Sequence, residues 1–330
     1  MGGFFSAFTN TDYENEYLNQ THKMDPHPPL AISFAFFSLL GIIGNIVLII
    51  YITTQKLYQN FYSSHFIAHL CITNLVGLLV LVPILMYNVY TGENLFMSSH
   101  LLCKIQTALT VTVWTVMAMM NLCIAGVHLL TFARIHYEQL FGLSPTKLCI
   151  LSWIISFFLA LPSITNGSVV VYGPTVRTCV FSHKDSGLKF LVYALIFGVS
   201  IPAIFSSYAY FRILQILFHS PIVFQSLGLY KSRFLVYAFL LCPLYTVPFY
   251  ILTIFPPDSE VRKDDKSMWQ IFCTYCAFFP CIIAPAIYGA SLFIIKEEDM
   301  SLTTRTHKAP PGAYHHVAGQ PQHSMQAQLI

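Results

Sequence analysis

The sequence predicts an all-α membrane protein, a seven-transmembrane helix bundle with its N-terminus outside. Of the 330 residues, 55% are hydrophobic and only 9% are charged, whereas a soluble chain carries about 25% charged residues. A spanning helix needs about 20 largely apolar residues, and in lipid its backbone groups have to bond within the helix. Seven segments approach or exceed that length with their flanks, and none contains Asp or Glu. These first to seventh spans are 30–54, 64–88, 105–132, 148–162, 190–217, 234–255 and 268–295.

Short loops join most of the spans, so the sequence predicts one bundle and no second globular domain. We expect an extracellular tail over residues 1–29, a transmembrane domain over 30–295 and a cytoplasmic tail over 296–330. The last segment is polar and rich in Pro, Gly and Gln, which is typical of disorder. No internal repeat is visible, which argues against a transporter built from duplicated halves.

Two glycosylation sequons predict the orientation of the bundle. Lys and Arg are nearly balanced between the two sides, so the positive-inside rule decides little. Asn19 in Asn-Gln-Thr and Asn166 in Asn-Gly-Ser both lie on the side of the N-terminus, and such sites carry glycans on surface loops. We therefore expect a glycan on Asn19, a second candidate site at Asn166, and a multi-pass protein of the plasma membrane.

Two of the nine cysteines stand outside the spans, on the predicted outer side. Cys103 lies at the outer end of the third span, and Cys179 lies in the loop after the fourth. An oxidising exterior would join the two thiols in a disulfide. The alternative is two unrelated free thiols.

Single residues of characteristic type also occur along the spans, in a characteristic order and spacing. They are Gly44 and Asn45 in the first span, Trp153 in the fourth, Pro202 and Tyr210 in the fifth, Pro248 in the sixth, and Pro285 and Tyr288 in the seventh. Together with the cysteine pair, they resemble the rhodopsin-like (class A) G-protein-coupled receptors. The resemblance implies a receptor for an extracellular ligand that acts through a heterotrimeric G protein, an arrestin or both. The loop VYGPTVRTCVFS and the IYG of the seventh span also resemble the melatonin receptors.

Several positions at which that family carries charged switch residues are different here. The Asp-Arg-Tyr triplet at the end of the third span reads 127–129, Val-His-Leu. Asn74 replaces the aspartate of the second span. The family's sodium site would consist of Asn74, Met117 and Ala284, and a hard cation without a carboxylate is poorly held. We therefore expect no sodium pocket.

Of the other switch positions, some keep the family residue and one differs from it. Thr246 replaces the tryptophan that precedes Pro248 in the family. The resemblance implies that Pro248 and Pro285 let a two-state bundle change shape. It also implies that Tyr210 and Tyr288 stabilise the open inner face.

His128 stands in the place of the family arginine and has two interpretations. It could be a pH-gated replacement, because imidazole changes charge near neutral pH. It could instead be a neutral ring that shares one hydrogen bond with a neighbouring helix. Arginine offers five donors in a fixed fork, which histidine cannot supply, so either G-protein coupling uses other contacts or it is weak or absent.

The outer pocket of the family maps onto residues that carry no charge in the spans. Thr110 occupies the place where amine receptors have an aspartate, and Phe278 occupies the place of the retinal-linking lysine. These positions argue against a cationic amine and against opsin chemistry, and they predict a small hydrophobic or lipid-like ligand. A carboxylate head could meet Arg177, beside Cys179. The candidate ligand-binding residues are Thr110, Val111, Trp114, Arg177, Ala194, Gly198, Phe249, Tyr250, Thr253, Thr274 and Phe278; alternatively, the aromatic ones only pack the bundle.

Other function classes find little support. His65 and His69 share a helix face, but a metal site would need a third ligand that is not obviously placed. No phosphate-binding Gly loop or nucleophile–base pair is visible, so we expect no metal, no cofactor and no enzyme. A net charge of +3 gives no case for nucleic acid. The partners expected are the ligand, the G protein or arrestin, and membrane lipids. The rival functions are a pseudo-receptor or scaffold of the same fold and, with less support, a seven-helix transporter or intramembrane enzyme.

Overall fold

The structure of the protein is a computed structural model that describes residues 25–96, 99–133, 142–165, 170–173, 176–181, 185–219 and 263–292. Six helices in these ranges are long and apolar enough to cross a membrane. They correspond to the first five spans and the seventh. The predicted sixth span, 234–255, lies outside the described residues, as do the chain before residue 25 and after residue 292.

The spanning helices extend past the apolar segments that predicted them, because helices continue into the polar boundary of the bilayer. The first four are Pro28–Thr54, Tyr62–Thr91, His100–Ala133 and Pro145–Thr165. The fifth consists of Asp185–Tyr193, Ala194–Ser200 and Ile201–His219. The seventh begins with Lys263–Cys276, and its apolar segment is Met268–Leu292. A single short helix, Leu57–Asn60, links the first span to the second.

Two of the spans contain a π-helical segment immediately before a proline. Gly77–Leu81 precedes Pro83 in the second span, and Ala194–Ser200 precedes Pro202 in the fifth. Proline lacks an N–H, and its ring collides with the carbonyl one turn back. A wider π turn relieves that collision, and such turns are frequent at functional sites. In the fifth span the widened turn contains Gly198, which faces the third span.

Apolar side chains cover the outside of the bundle, and the interior contains amides and hydroxyls. Ile43, Phe157 and Ile204 are exposed, while Asn45 and Asn74 are fully buried. This distribution suits lipid, because lipid tails accept apolar groups and helices associate through packing and internal hydrogen bonds.

An antiparallel hairpin covers the outer end of the bundle. Its strands are β1, Val170–Gly173, and β2, Thr178–Phe181, and Tyr172 pairs with Cys179 across it. A disulfide joins Cys103 at the outer end of the third span to Cys179 in β2. The predicted cysteine pairing is confirmed, and the crosslink fixes β2 above the third span.

Candidate functional site

A cavity lies beneath the hairpin, between the second, third, fifth and seventh spans. Its volume is about 40 Å3. Its floor and walls are mainly aliphatic and aromatic. The described residues that line it are Leu81, Leu85, Gln106, Thr107, Thr110, Val111, Trp114, Thr115, Thr178, Cys179, Val180, Phe181, Leu191, Ala194, Leu195, Val199, Thr274 and Phe278.

The cavity brings together most of the predicted ligand-binding residues that the structure describes. Thr110, Val111 and Trp114 line it from the third span, and Thr274 and Phe278 line it from the seventh. The rings of Trp114 and Phe278 lie 5.9 Å apart between centroids and are tilted by 50°. They form an aromatic bridge between the two helices.

The remaining predicted pocket residues divide into two groups. Ala194 lines the cavity, whereas Gly198 lies one turn further in and contacts Thr115 of the third span. The other three belong to the sixth span and lie outside the described residues: Phe249, Tyr250 and Thr253.

Gln106 connects the cavity wall to the hairpin, and the sequence analysis missed it. Its side-chain nitrogen donates to the hydroxyl of Thr178, and its side-chain oxygen accepts from the backbone N–H of Cys179 at 3.1 Å. Gln106 stands three residues after Cys103, on the same helix face. That spacing was a usable signal, because a polar residue there must face the disulfide.

A pair of buried amides lies deeper in the bundle. Asn45 donates to the carbonyl of Cys281 at 2.9 Å and to that of Gly41 at 2.8 Å. It accepts from the side chain of Asn74 at 3.0 Å. The Cys281 thiol lies 3.3 Å from the Met117 sulfur. The two sulfur atoms are soft ligands that suit a hard cation poorly, and the two amides supply no negative charge to hold one.

Two tyrosines tie the inner half of the third span to its neighbours. The Tyr210 hydroxyl lies 3.3 Å from Nδ1 of His128, which is buried. The Tyr288 hydroxyl donates to the side-chain oxygen of Asn121 at 2.6 Å. The third span is thereby bonded to both the fifth and the seventh. The sequence analysis did not predict a role for Asn121, because a single asparagine in an apolar helix gives no indication of its hydrogen-bond partner.

Comparison with known families connects this arrangement to one class of protein. The family model described as 7 transmembrane receptor (rhodopsin family) matches residues 44–288, which is well over half of the 330-residue chain. The chain belongs to the rhodopsin family of seven-transmembrane receptors. No curated protein matches it in sequence.

Membership of the family establishes the architecture and location of the receptor. It is a multi-pass protein of the plasma membrane, with seven spans and an outer N-terminus. Members of this family bind extracellular ligands and signal through G proteins across the membrane; they are receptors rather than enzymes. The cavity therefore lies towards the outer side, and the His128–Tyr210 contact lies towards the inner side.

Arg177 lies outside the described wall of the cavity. Its guanidinium donates to the carbonyl of Asp25 at 2.8 Å and does not line the cavity. The residue is 2% exposed, with a left-handed backbone at φ 57°. Asn88 holds its carbonyl at 3.0 Å. Burial lowers the pKa of the guanidinium, an effect that Tyr172 and Asp25 oppose. The turn thus directs one guanidinium nitrogen of Arg177 to the segment before the first span, and the meeting of Arg177 with a ligand carboxylate stays a prediction.

Only some of the predicted switch residues belong to the part of the receptor that the structure describes. Pro285 packs on the first span, where a Cβ on Gly44 would lie only 3.2 Å from the Pro285 Cβ. Ala284 is buried beside it. Thr246 and Pro248 lie outside the described residues.

Proposed function

We propose that the receptor detects an uncharged hydrophobic ligand, lipid-like or indole-like, in the cavity beneath the hairpin. The observation that carries this proposal is the chemistry of the wall: none of the described lining residues is charged. An unpaired charge in such a wall would be strongly disfavoured, because burial removes its hydration. Trp114 and Phe278 supply the flat apolar surfaces that an aromatic or polyene body would contact. The resemblance of the hairpin loop to the melatonin receptors supports including indole-like ligands.

The place at which an amine-binding receptor would carry a counter-charge supports the same conclusion. Thr110 is the residue there, and its hydroxyl donates to the carbonyl of Gln106 at 2.9 Å. The hydroxyl proton is thus used within the helix, and only oxygen lone pairs remain for a ligand. A cationic ligand would find no carboxylate among the described lining residues.

We further propose that G-protein output is low compared with a receptor that keeps the Asp-Arg-Tyr triplet. Val127 is buried and apolar, so it cannot restrain a neighbouring cation. His128 makes its described side-chain bond to Tyr210, which corresponds to the interpretation of a ring that shares one bond with a helix partner. A histidine in that place cannot offer the five-donor fork of arginine.

The second candidate function is a pseudo-receptor or scaffold with the same fold and no nucleotide exchange. It is favoured by the same Val127 and His128 pair.

In either case the chain is organised as proposed from the sequence, with an extracellular tail over residues 1–29, the bundle over 30–295 and a cytoplasmic tail over 296–330.

Reporters for each G-protein class and for arrestin, read first without ligand, distinguish the two candidates. We expect a low basal signal that rises when Val127→Asp is combined with His128→Arg, because the pair restores the missing charge and fork. His128→Ala is the control and should leave basal output unchanged. Strong exchange by the unmodified receptor that survives His128→Ala would refute the view that this position limits coupling. A double variant that reaches the surface but stays silent would favour the scaffold.

The ligand class is tested with the same cells. Neutral lipids and indoles should activate the receptor or displace an active compound from it. Amines and carboxylates of matched size should do neither. Trp114→Ala should remove the response to an active neutral compound without changing surface expression. Activation by a cationic amine that depends on Trp114 would overturn the proposed ligand class.

A further inference from the structure

The threonines of the cavity wall do not all use their hydroxyl groups in the same way. Thr107 donates to Cys103 at 3.1 Å, and Thr110 donates to Gln106 at 2.9 Å, each to the carbonyl one turn back. Thr274 in the seventh span does the same with Gln270 at 2.9 Å. This is the usual way in which a threonine inside an apolar helix satisfies its proton.

Thr115 is the exception among the lining threonines that belong to helices. It is the innermost residue that the third span contributes to the cavity wall, and it is 1% exposed. Its hydroxyl oxygen is buried and has no hydrogen-bond partner in the described part of the chain. The hydroxyl therefore does not bond to the carbonyl one turn back, although its three lining neighbours of the same type do.

Gly198 explains why the Thr115 hydroxyl can adopt that rotamer. A Cβ at position 198 would lie 2.5 Å from the Thr115 Oγ1 atom, which is closer than two such atoms can approach. Only glycine leaves room there, and the π-helical turn of the fifth span directs that glycine at the third span. The glycine thus lets the fifth span pack directly against a hydroxyl that the third span leaves unpaired.

An unpaired hydroxyl in an apolar interior destabilises the empty receptor, because its desolvation is not compensated. A ligand that accepts a hydrogen bond would compensate it. Resting on the proposed hydrophobic cavity, we propose that Thr115 is a specificity-determining residue at the floor of the site. Its hydroxyl donates to a neutral acceptor oxygen, a carbonyl, ether or hydroxyl, carried by the ligand, at the inner end of the cavity that Thr115 lines.

The proposal separates two kinds of polar group in the wall. The lining hydroxyls of Thr107, Thr110 and Thr274 retain only lone pairs, so they can accept from a ligand but have spent their proton. Thr115 still has its proton to give. The site thus selects for an apolar molecule with an uncharged oxygen at its deep end.

The test uses two small probes that differ in one atom group, acetophenone and α-methylstyrene, in which C=CH2 replaces C=O. Binding to the purified full-length receptor in lipid nanodiscs is measured from the shift in Tm at equal free aqueous concentration. We expect the unmodified receptor to prefer acetophenone by about five- to tenfold, the value of one hydrogen bond. Thr115→Val should remove the preference and raise the Tm of the empty receptor. Thr115→Ser, which keeps a hydroxyl, should retain the preference.

Thr112→Val is the matched control, since Thr112 is buried in the same helix, donates to Ala108 at 2.9 Å and is not a described lining residue. It should keep the preference without a gain in Tm. Gly198→Ala should lose the preference although Thr115 is present, because the added methyl displaces the hydroxyl.

Three outcomes would overturn the inference. A preference that persists in Thr115→Val means that another group donates. Equal binding of both probes to the unmodified receptor means that the hydroxyl makes no ligand bond, and the hydrophobic cavity still stands. If neither probe binds, the hydrophobic cavity and the Thr115 assignment fail together, whereas the reporter assays test the coupling proposal separately.

Discussion

Replacing Asn45 with alanine should destabilise the bundle more than any comparable change at Asn74. Asn45 is fully buried, donates to the Cys281 carbonyl of the seventh span at 2.9 Å and accepts from Asn74 of the second span at 3.0 Å. Asn45→Ala removes both bonds between spans at once. Hydrogen bonds between membrane helices contribute about 0.6 kcal/mol on average and about 1.7 kcal/mol at most, so the expected loss is about 1–3 kcal/mol.

Asn74→Ala should cost less, for a reason that the structure shows. It removes the same bond to Asn45 but also deletes the Asn74 side-chain oxygen, which is buried and has no partner among the described residues. Removing an uncompensated polar atom recovers part of its desolvation penalty. The double variant should show a coupling of about 0.6 kcal/mol between the two sites, because both single changes break the same bond.

The measurement is thermal unfolding of the purified receptor in nanodiscs, monitored by tryptophan fluorescence. Asn45→Ala should lower the Tm by several degrees, since about 1 kcal/mol corresponds to about 2–4 °C in a domain of roughly this size. Thr54→Ala is the control, because Thr54 is exposed and its hydroxyl bonds only within its own helix, to Ile50 and Tyr51. The reasoning is refuted if Asn74→Ala lowers the Tm as much as Asn45→Ala does, or if the two changes are additive.

Three further predictions concern the outer crosslink, the glycans and the amide pair. Cys103→Ser should retain the receptor in the endoplasmic reticulum, because β2 loses its covalent bond to the third span and keeps only the hydrogen bonds of Gln106 among the described side chains; undiminished surface labelling would contradict this, as would alkylation of both Cys103 and Cys179 without reduction. Asn19→Gln should reduce the gel shift caused by endoglycosidase, with Asn166→Gln removing any remainder; an unmodified chain that does not shift would count against the sequons. Sodium should not change the Tm relative to choline at equal ionic strength, whereas Asn74→Asp should introduce a sodium dependence by supplying a carboxylate; sodium stabilisation of the unmodified receptor would show that the amides and sulfurs hold the cation after all.

Hydropathy alone located the six spans that the structure describes, because the cost of exposing backbone and charge to lipid is a property of each segment by itself. The cysteine pair was predictable for a similar reason, since its partners are the two cysteines that stand outside the spans. The π-helical turns lie immediately before Pro83 and Pro202, where a proline disturbs the helix that precedes it. The spans and the cysteine pair depend on local chemistry, which a sequence carries in full, whereas the π-helical turns were not predicted: Pro162 lies inside the fourth helix without one.

Contacts between helices were decided by the tertiary structure. Arg177 follows a left-handed turn to the carbonyl of Asp25, and its place beside Cys179 in the sequence did not reveal that direction. The close approach of Gly198 to Thr115 exists only because two helices meet at that height and rotation. A side-chain rotamer at such a crossing depends on atoms far away along the chain, so residue type predicts the available hydrogen bonds, and packing determines which of them form.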